Sequence, residues 1–178
     1  MADGPKSFFL SAPIHEYLVE HGAPPDEVQR WLIEETRAKV PNLAGMQIAP
    51  EQGTFMTLLT RLVGARHAVE VGTFTGYSSL AIALGLPADG HLLCCDVSEE
   101  WTATAREAWA RAGVSERIEL TIAPAIETLQ ALPKDALLDL AFIDADKQSY
   151  AVSTRNSSSG CARAVSSSLT MCSGWARS

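Results

Sequence analysis

Two acidic residues stand near the ends of two apolar segments that the sequence predicts as buried strands. Glu70 lies in the segment 67–71, and Asp96 ends the segment 91–96, 26 residues after Glu70. A carboxylate at the end of a parallel strand can accept hydrogen bonds from the hydroxyls of a ribose. Each acid alone could equally be a helix cap or a loop residue. Together they predict a ligand site, with Asp96 on a ribose diol and Glu70 nearby.

A glycine-containing turn follows the first of these strands, in the block Glu70-Val-Gly-Thr-Phe-Thr-Gly-Tyr-Ser78. Gly72 lets the backbone approach a ligand closely, and Gly76 permits the turn into a helix. The dinucleotide-binding pattern G-x-G-x-x-G is missing from the block. A nicotinamide-dependent oxidoreductase is therefore a disfavoured alternative.

The block Asp144-Ala-Asp-Lys147 follows a further apolar segment and could activate a hydroxyl group. A phenol with a pKa of about 10 is mostly protonated at neutral pH. A bound divalent cation lowers that pKa, and a neighbouring lysine can take the proton. Asp144 is thus the candidate metal ligand and Lys147 the candidate general base. The alternative is a solvated loop after a strand.

The order of the predicted elements gives the fold class. Strands are predicted at 67–71, 91–96, 117–122 and 137–143, and helices at 13–21, 26–39, 50–63, 76–86, 98–112 and 125–132. Alternating strands and helices indicate an α/β fold, with a parallel sheet and helices on both faces. Ligands then bind outside the carboxyl ends of the strands. The apolar stripe predicted for the third helix is Phe55, Leu58, Leu59, Leu62 and Val63.

Composition narrows the class of protein. The 178 residues carry a formal net charge of −7, which argues against nucleic-acid and anionic-membrane partners. No apolar run approaches the roughly 20 residues of a membrane span. Cys94 and Cys95 are adjacent in one predicted strand and point to opposite faces, so a disulfide between them is not expected. Reduced thiols in a cytoplasmic protein are the expectation.

The last 28 residues, 151–178, break the pattern. Nine of them are serine, and Asp146 is the last residue with a carboxylate side chain. A serine-rich linker is one interpretation. We expect this tail to leave the outer edge of strand 137–143 uncovered, because it offers little apolar surface to offset the entropy of ordering.

Four blocks, in this order and spacing, give the chain a family resemblance over about residues 46–150. They are Met46–Gly53, Glu70–Ser78, the strand end at Asp96 with Ala123-Pro-Ala125, and Phe142–Lys147. Together they resemble the small metal-dependent O-methyltransferases that include the catechol and caffeoyl-coenzyme A enzymes. Bacterial members that tailor antibiotics are especially similar.

The resemblance implies a Rossmann-like class I methyltransferase sheet, S-adenosylmethionine with a divalent cation such as Mg²⁺, a small hydroxylated acceptor and a homodimer. The implied cofactor residues are Ile48 (backbone), Gly72, Thr73 and Ser78 around the methionine portion with Glu70 nearby, Asp96 on the ribose, Ala125 on the adenine and Asp146 near the charged end. Asp144 would bind the metal, and Lys147 would be catalytic. Trp101 could pack on the adenine, although a core position on its helix is the favoured interpretation. Relatives usually have glycine in place of Ala123.

The tail departs from the family, which has a further strand followed by an aspartate and an asparagine for the metal. Codons compatible with residues 153–178 can be chosen so that a shifted frame reads roughly Glu-Glu-Leu-Val-Val-Arg-Leu-Arg-Pro-Gly-Gly-Leu-Val-Leu-Thr-Asp-Asn-Val-Leu-Trp. We therefore interpret residues 1–150 as an incomplete methyltransferase domain whose C-terminal strands are missing or corrupted. Residues 151–178 are interpreted as an aberrant tail, the product of a frameshift. The alternative function is that of a catalytically inactive remnant.

Overall fold

The computed structural model describes residues 11–133, 137–144 and 168–171, and it confirms the alternating α/β pattern. The helices are α1 (Ala12–His21), α2 (Glu27–Lys39), α3 (Pro50–Leu62), α4 (Tyr77–Gly85), α5 (Glu99–Arg111) and α6 (Ala125–Ala131). The strands are β1 (His67–Val71), β2 (His91–Asp96), β3 (Ile118–Ile122), β4 (Leu140–Ile143) and β5 (Ser168–Met171). Among these helices none is long and apolar enough to cross a membrane.

One sheet carries the strands in the order β3-β2-β1-β4-β5, and its first four strands are parallel. β1 lies between β2 and β4, and its last residue, Val71, is opposite Cys95 of β2 and Ile143 of β4. The carboxyl ends of β1, β2 and β4 are therefore level with one another. The residues that follow these strands, including Gly72 and Asp144, share one edge of the sheet.

The sheet separates two apolar layers, as expected for strands buried on both faces. On one face Ala68, Leu92 and Leu140 pack with residues of α2, α3, α4 and α5. On the other face Val69 and Leu93 pack with α6. The prediction of helices on both faces is confirmed.

The outer edge of β4 is covered, contrary to the expectation from the sequence. β5 pairs antiparallel with β4, with Leu140 opposite Met171 and Ile143 opposite Ser168. An unpaired strand edge is a template for any segment that can extend alongside it, and Ser-Leu-Thr-Met is such a segment. The prediction that the tail cannot cover this edge is therefore wrong for residues 168–171.

Helix α3 buries a different face from the one predicted. Phe55, Leu58 and Leu62 are 56%, 52% and 73% exposed, whereas Met56 and Thr60 are buried. The reason is the close approach of α4, which the small residues Gly53 and Thr57 of α3 permit. The Thr57 hydroxyl donates to the carbonyl of Ala81 at 2.7 Å, and a Cβ on Gly53 would lie 2.7 Å from Cε1 of Tyr77.

The tight contact between α3 and α4 predicts that Gly85→Ala destabilises the fold. The added Cβ would lie 2.8 Å from the carbonyl oxygen of Thr57 and 2.7 Å from Cβ of Thr60. We expect urea denaturation to show a loss of about 1–3 kcal/mol from overpacking. Gly45→Ala is the matched control, because a Cβ there meets nothing within 4 Å. Equal stability of the two variants would contradict the packing described for this interface.

Candidate functional site

A cleft of about 850 Å³ opens at the carboxyl edge of the sheet, where β1, β2 and β4 end. Seven of the residues predicted for the site line it: Ile48, Gly72, Thr73, Ser78, Asp96, Ala125 and Asp144. Glu70 does not. Asp146 and Lys147 lie outside the described residues.

The carboxylate of Asp96 holds two loops of the cleft together. Oδ2 accepts the backbone N–H groups of Thr73 and Phe74, each at 2.8 Å. Oδ1 accepts those of Val97 at 2.7 Å and Ser98 at 2.8 Å. The first pair belongs to the loop between β1 and α4, and the second pair to the loop between β2 and α5. Asp96 therefore supports the cleft wall as well as facing the cleft.

The loop from Gly72 to Gly76 needs a backbone that few residues can adopt. Gly72 has φ 90°, Gly76 has φ 89°, and Phe74 between them has φ 51°. A Cβ at Gly76 would lie 2.4 Å from Cβ of Ala105, so the loop also packs directly on α5. The loop leads into α4, whose first backbone N–H groups have no partner within the helix. The positive end of α4 thus lies at the cleft, where Ser78 lines it.

Glu70 lies beneath the cleft and does not line it, and its predicted position near the cofactor stays a prediction. Its side chain is fully buried because position 70 points into the layer between β1 and α4. Burial raises the pKa of Glu70 to about 7, although hydrogen bonds from the hydroxyls of Ser78 and Thr73 act to lower it. Cys94 donates its thiol to Oε2 at 3.6 Å. Among the described residues none completes a hydrogen bond to Oε1.

Aromatic side chains form one wall of the cleft. Trp101 lines the cleft and meets Phe74 edge-to-face, with ring centroids 5.3 Å apart. Ser98 caps α5 by accepting the backbone N–H of Trp101 at 3.2 Å, which places that residue in the first turn beside the cleft. The favoured interpretation of Trp101 as a core residue is therefore wrong. Its position five residues after the strand-end acid was the available signal.

The remaining cleft residues include several that the sequence did not single out. Gln47 and Thr75 line the cleft close to the predicted Ile48, and Pro124 and Ile126 flank the predicted Ala125. All four lie inside or next to the sequence blocks that carry the family resemblance, so their proximity to the site could have been inferred. Their individual contacts could not.

The described part of the site does not make a metal centre by itself. Asp144 lies at the cleft, its backbone N–H donates to the carbonyl of Val71 at 2.8 Å, and partial burial raises the pKa of its carboxyl group. Within the described ranges, no three His, Cys, Asp or Glu side chains are grouped so that they could hold a metal ion. A shell of about six oxygens, as Mg²⁺ requires, needs ligands beyond Asp144.

Sequence comparison gives this geometry a family context. The family model described as O-methyltransferase matches residues 19–156. The chain is 38% identical over 140 residues to the Dictyostelium discoideum protein named "Probable caffeoyl-CoA O-methyltransferase 2". That match covers 77% of this chain and 60% of the relative, so the chain spans less than two thirds of the relative's length.

Solved structures agree in fold. The O-methyltransferase from Bacillus cereus in complex with SAH superposes with a TM-score of 0.73 and 30% identity, covering 81% of this chain and 66% of that one. The O-methyltransferase TomG from Streptomyces achromogenes, involved in tomaymycin synthesis and in complex with SAM, gives a TM-score of 0.74 and 29% identity. That match covers 81% of this chain and 65% of TomG.

The burial of Glu70 predicts a pH-dependent loss of stability that Glu70→Gln removes. Folding raises the pKa of Glu70 from 4.5 to about 7. The contribution of the protonated side chain to the free energy of unfolding is therefore fully present below pH 4.5 and is lost as pH rises through 7. Urea denaturation of the wild type should show a loss of about 2–3 kcal/mol between pH 5 and pH 8 relative to Glu70→Gln. Glu116→Gln, at an exposed position just before β3, is the control and should keep the wild-type pH profile. A wild-type profile for Glu70→Gln would contradict this account.

Proposed function

The chain belongs to the O-methyltransferase family, and on that premise we propose that its cleft binds S-adenosylmethionine for methyl transfer to a hydroxyl group of a small phenolic molecule. The observation that carries the proposal is the joining of the Gly72–Gly76 loop to Asp96 at one edge of a parallel sheet. This arrangement presents a glycine turn, a helix N-terminus and a strand-end carboxylate to a single ligand. A cleft of about 850 Å³ has the size of a site for a cofactor with its substrate.

The cofactor's parts match the chemistry of the lining residues. The methionine portion would lie against Ile48, Gly72 and Ser78, where the N-terminus of α4 favours its carboxylate. The ribose hydroxyls would donate to the carboxylate oxygens of Asp96 and share them with the four backbone N–H groups that already fix this side chain. The adenine would lie between the aromatic wall and the backbone of Ala125.

Glu70 supports the proposed site from below. Its buried carboxyl group lies under Ser78 and Thr73, so it holds the polar residues that would face the methionine portion. A sulfonium and an ammonium group both carry positive charge, and a carboxylate beneath them stabilises that charge. Binding of the cofactor should therefore favour the ionised form of Glu70.

The proposed reaction moves one methyl group. The bond between the methyl carbon and the sulfonium sulfur breaks, with its electron pair remaining on sulfur, while the acceptor oxygen forms the new bond to carbon. The proton of the acceptor hydroxyl passes to the neutral amine of Lys147, the proposed general base. Asp146 would lie near the charged end of the cofactor.

We propose metal assistance only for a chain whose reading frame is restored near codons 151–153. The shifted reading would supply an aspartate and an asparagine after a further strand, and these would join Asp144 as oxygen ligands. The absence of any carboxylate side chain after Asp146 supports this division of the chain into an incomplete domain, 1–150, and an out-of-frame tail, 151–178.

A cofactor-binding protein without catalytic activity is the second candidate for the 178-residue chain. Six of the residues proposed for the cofactor line the described cleft, whereas Asp144 is the one proposed metal ligand among the described residues. For the frame-restored enzyme, the relatives support a phenolic acceptor. The name of the Dictyostelium relative includes caffeoyl-CoA, and TomG is involved in tomaymycin synthesis, so we propose a catechol-like or secondary-metabolite acceptor.

A cytoplasmic location is also proposed, supported by the free thiols of Cys94 and Cys95.

Asp96→Ala tests the cofactor assignment. Isothermal titration with S-adenosylhomocysteine should show affinity lowered by about 10- to 100-fold, since the ribose and two loops lose their acceptor. Asp139→Ala is a matched control, because Asp139 also accepts two backbone N–H groups, of Arg66 and His67, but at the other end of β1. Both variants should lose stability, and only Asp96→Ala should lose affinity. Equal affinities in the two variants would refute the ribose assignment.

Restoring the reading frame should restore metal-dependent turnover. We expect the 178-residue chain to be inactive and the frame-restored chain to methylate a catechol in a Mg²⁺-dependent assay with radiolabelled methyl donor. In the restored chain Lys147→Ala should lower kcat by about 10²–10⁴, and Asp144→Asn should abolish most activity. Full activity of both variants in the presence of a chelator would refute metal-assisted deprotonation.

We propose that the exposed apolar stripe of α3, formed by Phe55, Leu58 and Leu62, is covered in a homodimer. On α1 the side chains of Ile14 and Tyr17 are 52% and 60% exposed, which adds further apolar surface in the amino-terminal helices. Light scattering of the purified protein should give twice the chain mass. The Leu58→Glu variant should give the mass of the monomer. A monomeric wild type would contradict this proposal.

A further inference from the structure

Three polar side chains from separate parts of the chain meet behind the cleft. The hydroxyl of Thr36 in α2 is hydrogen-bonded to the hydroxyl of Thr75 at 2.9 Å. The side-chain amide of Gln47 donates to Thr36 Oγ1 at 2.9 Å and to Thr75 Oγ1 at 3.2 Å. We call these residues the Thr36 triad.

The Thr36 triad is almost completely shielded from solvent. Thr36 is 0%, Thr75 1% and Gln47 8% exposed. Thr36 Oγ1 also lies 2.7 Å from the carbonyl oxygen of Leu32, four residues earlier in α2. A hydroxyl has one proton to donate and two lone pairs to accept with. With its proton on Leu32, Thr36 can accept from both Gln47 and Thr75, which uses its full capacity.

The two partners of Thr36 belong to different walls of the cleft. Gln47 lies between Met46 and Ile48, and all three line the cleft. Thr75 lies in the loop that Asp96 fixes from its other side. Thr36 itself is absent from the cleft lining and reaches it through these two neighbours. The triad therefore sets the distance between the Met46–Ile48 wall and the Gly72–Gly76 loop.

We propose that Thr36 is a positioning residue for the cofactor, which fixes the two walls that enclose its methionine portion. This inference rests on the proposed binding of S-adenosylmethionine. Removing the Thr36 hydroxyl leaves the Gln47 amide and the Thr75 hydroxyl without their shared buried partner. The two walls would then keep the longer bond from Gln47 to Thr75, at 3.2 Å, but would lose the bonds that anchor both residues to α2. The ribose and adenine contacts at Asp96 and Ala125 would remain.

The test compares two ligands in the 178-residue chain by isothermal titration calorimetry. S-Adenosylhomocysteine carries the amino-acid portion, and 5′-methylthioadenosine lacks it. Thr36→Val removes the hydroxyl at nearly constant volume, and Thr36→Ser restores it. Thr60→Val is the matched control, because Thr60 is also fully buried and its hydroxyl donates to the carbonyl four residues earlier, at 2.8 Å, without reaching the cleft.

We expect Thr36→Val to bind S-adenosylhomocysteine about 10-fold more weakly than Thr60→Val, as for the loss of one buried hydrogen-bonding group. Thr36→Ser should recover wild-type affinity, and all variants should bind 5′-methylthioadenosine within about 2-fold of one another. Equal affinity of Thr36→Val and Thr60→Val for both ligands, or equal losses of both ligands in Thr36→Val, would overturn the assignment.

Two further outcomes are decisive. If the wild type binds neither ligand, the proposed function is refuted and this inference with it. If the wild type binds both ligands and only the Thr36 comparison fails, the proposed function stands and the role of Thr36 is refuted. If Thr36→Val does not fold, Gln47→Met removes the amide donor and keeps the bond between Thr36 and Thr75. It should weaken S-adenosylhomocysteine selectively, and unchanged binding in this variant would overturn the assignment.

Discussion

The carboxylate of Asp96, with four backbone N–H groups on its two oxygens, is the interaction on which the cleft depends. A buried charge is tolerated when hydrogen bonds replace its water, and backbone amides provide them without a second charged side chain. The register that places Val71 opposite Cys95 brings the two loops to the same height. One carboxylate can therefore bind both loops. These bonds fix the two loops relative to each other at the edge of the cleft.

The helices on one face hold this arrangement from behind. Gly76 lies directly on Ala105, and Thr75 is joined to Thr36, so α5 and α2 each fix one point of the loop. The indole N–H of Trp109 donates to Ser79 Oγ at 3.1 Å and ties α5 to the first turn of α4. Each of these contacts needs a small or polar residue in the core layer. The interior is therefore less apolar next to the cleft than elsewhere.

The sequence predicted what depends on local pattern. Strand ends, helix order and the glycine turn follow from short-range rules, and most boundaries agree with the structure within one or two residues. The buried face of α3 was mispredicted because close packing on α4 selects small residues such as Gly53 over the larger apolar stripe. The sequence indicated that strand 67–71 is buried, but only tertiary packing decides that Glu70 is on the face that meets α4. Lys147 and Asp146 lie outside the described residues and stay predictions.

The pairing of β5 with β4 has a consequence for how proteins acquire new sequence. Four residues from a serine-rich segment suffice to continue the hydrogen-bonding ladder of a sheet, and they do so in the direction opposite to its other strands. Backbone groups make the ladder, so the edge of a sheet accepts a segment with little regard to its side chains. Pairing with an open sheet edge therefore requires an extended backbone in the added segment and places only a weak requirement on its residue types.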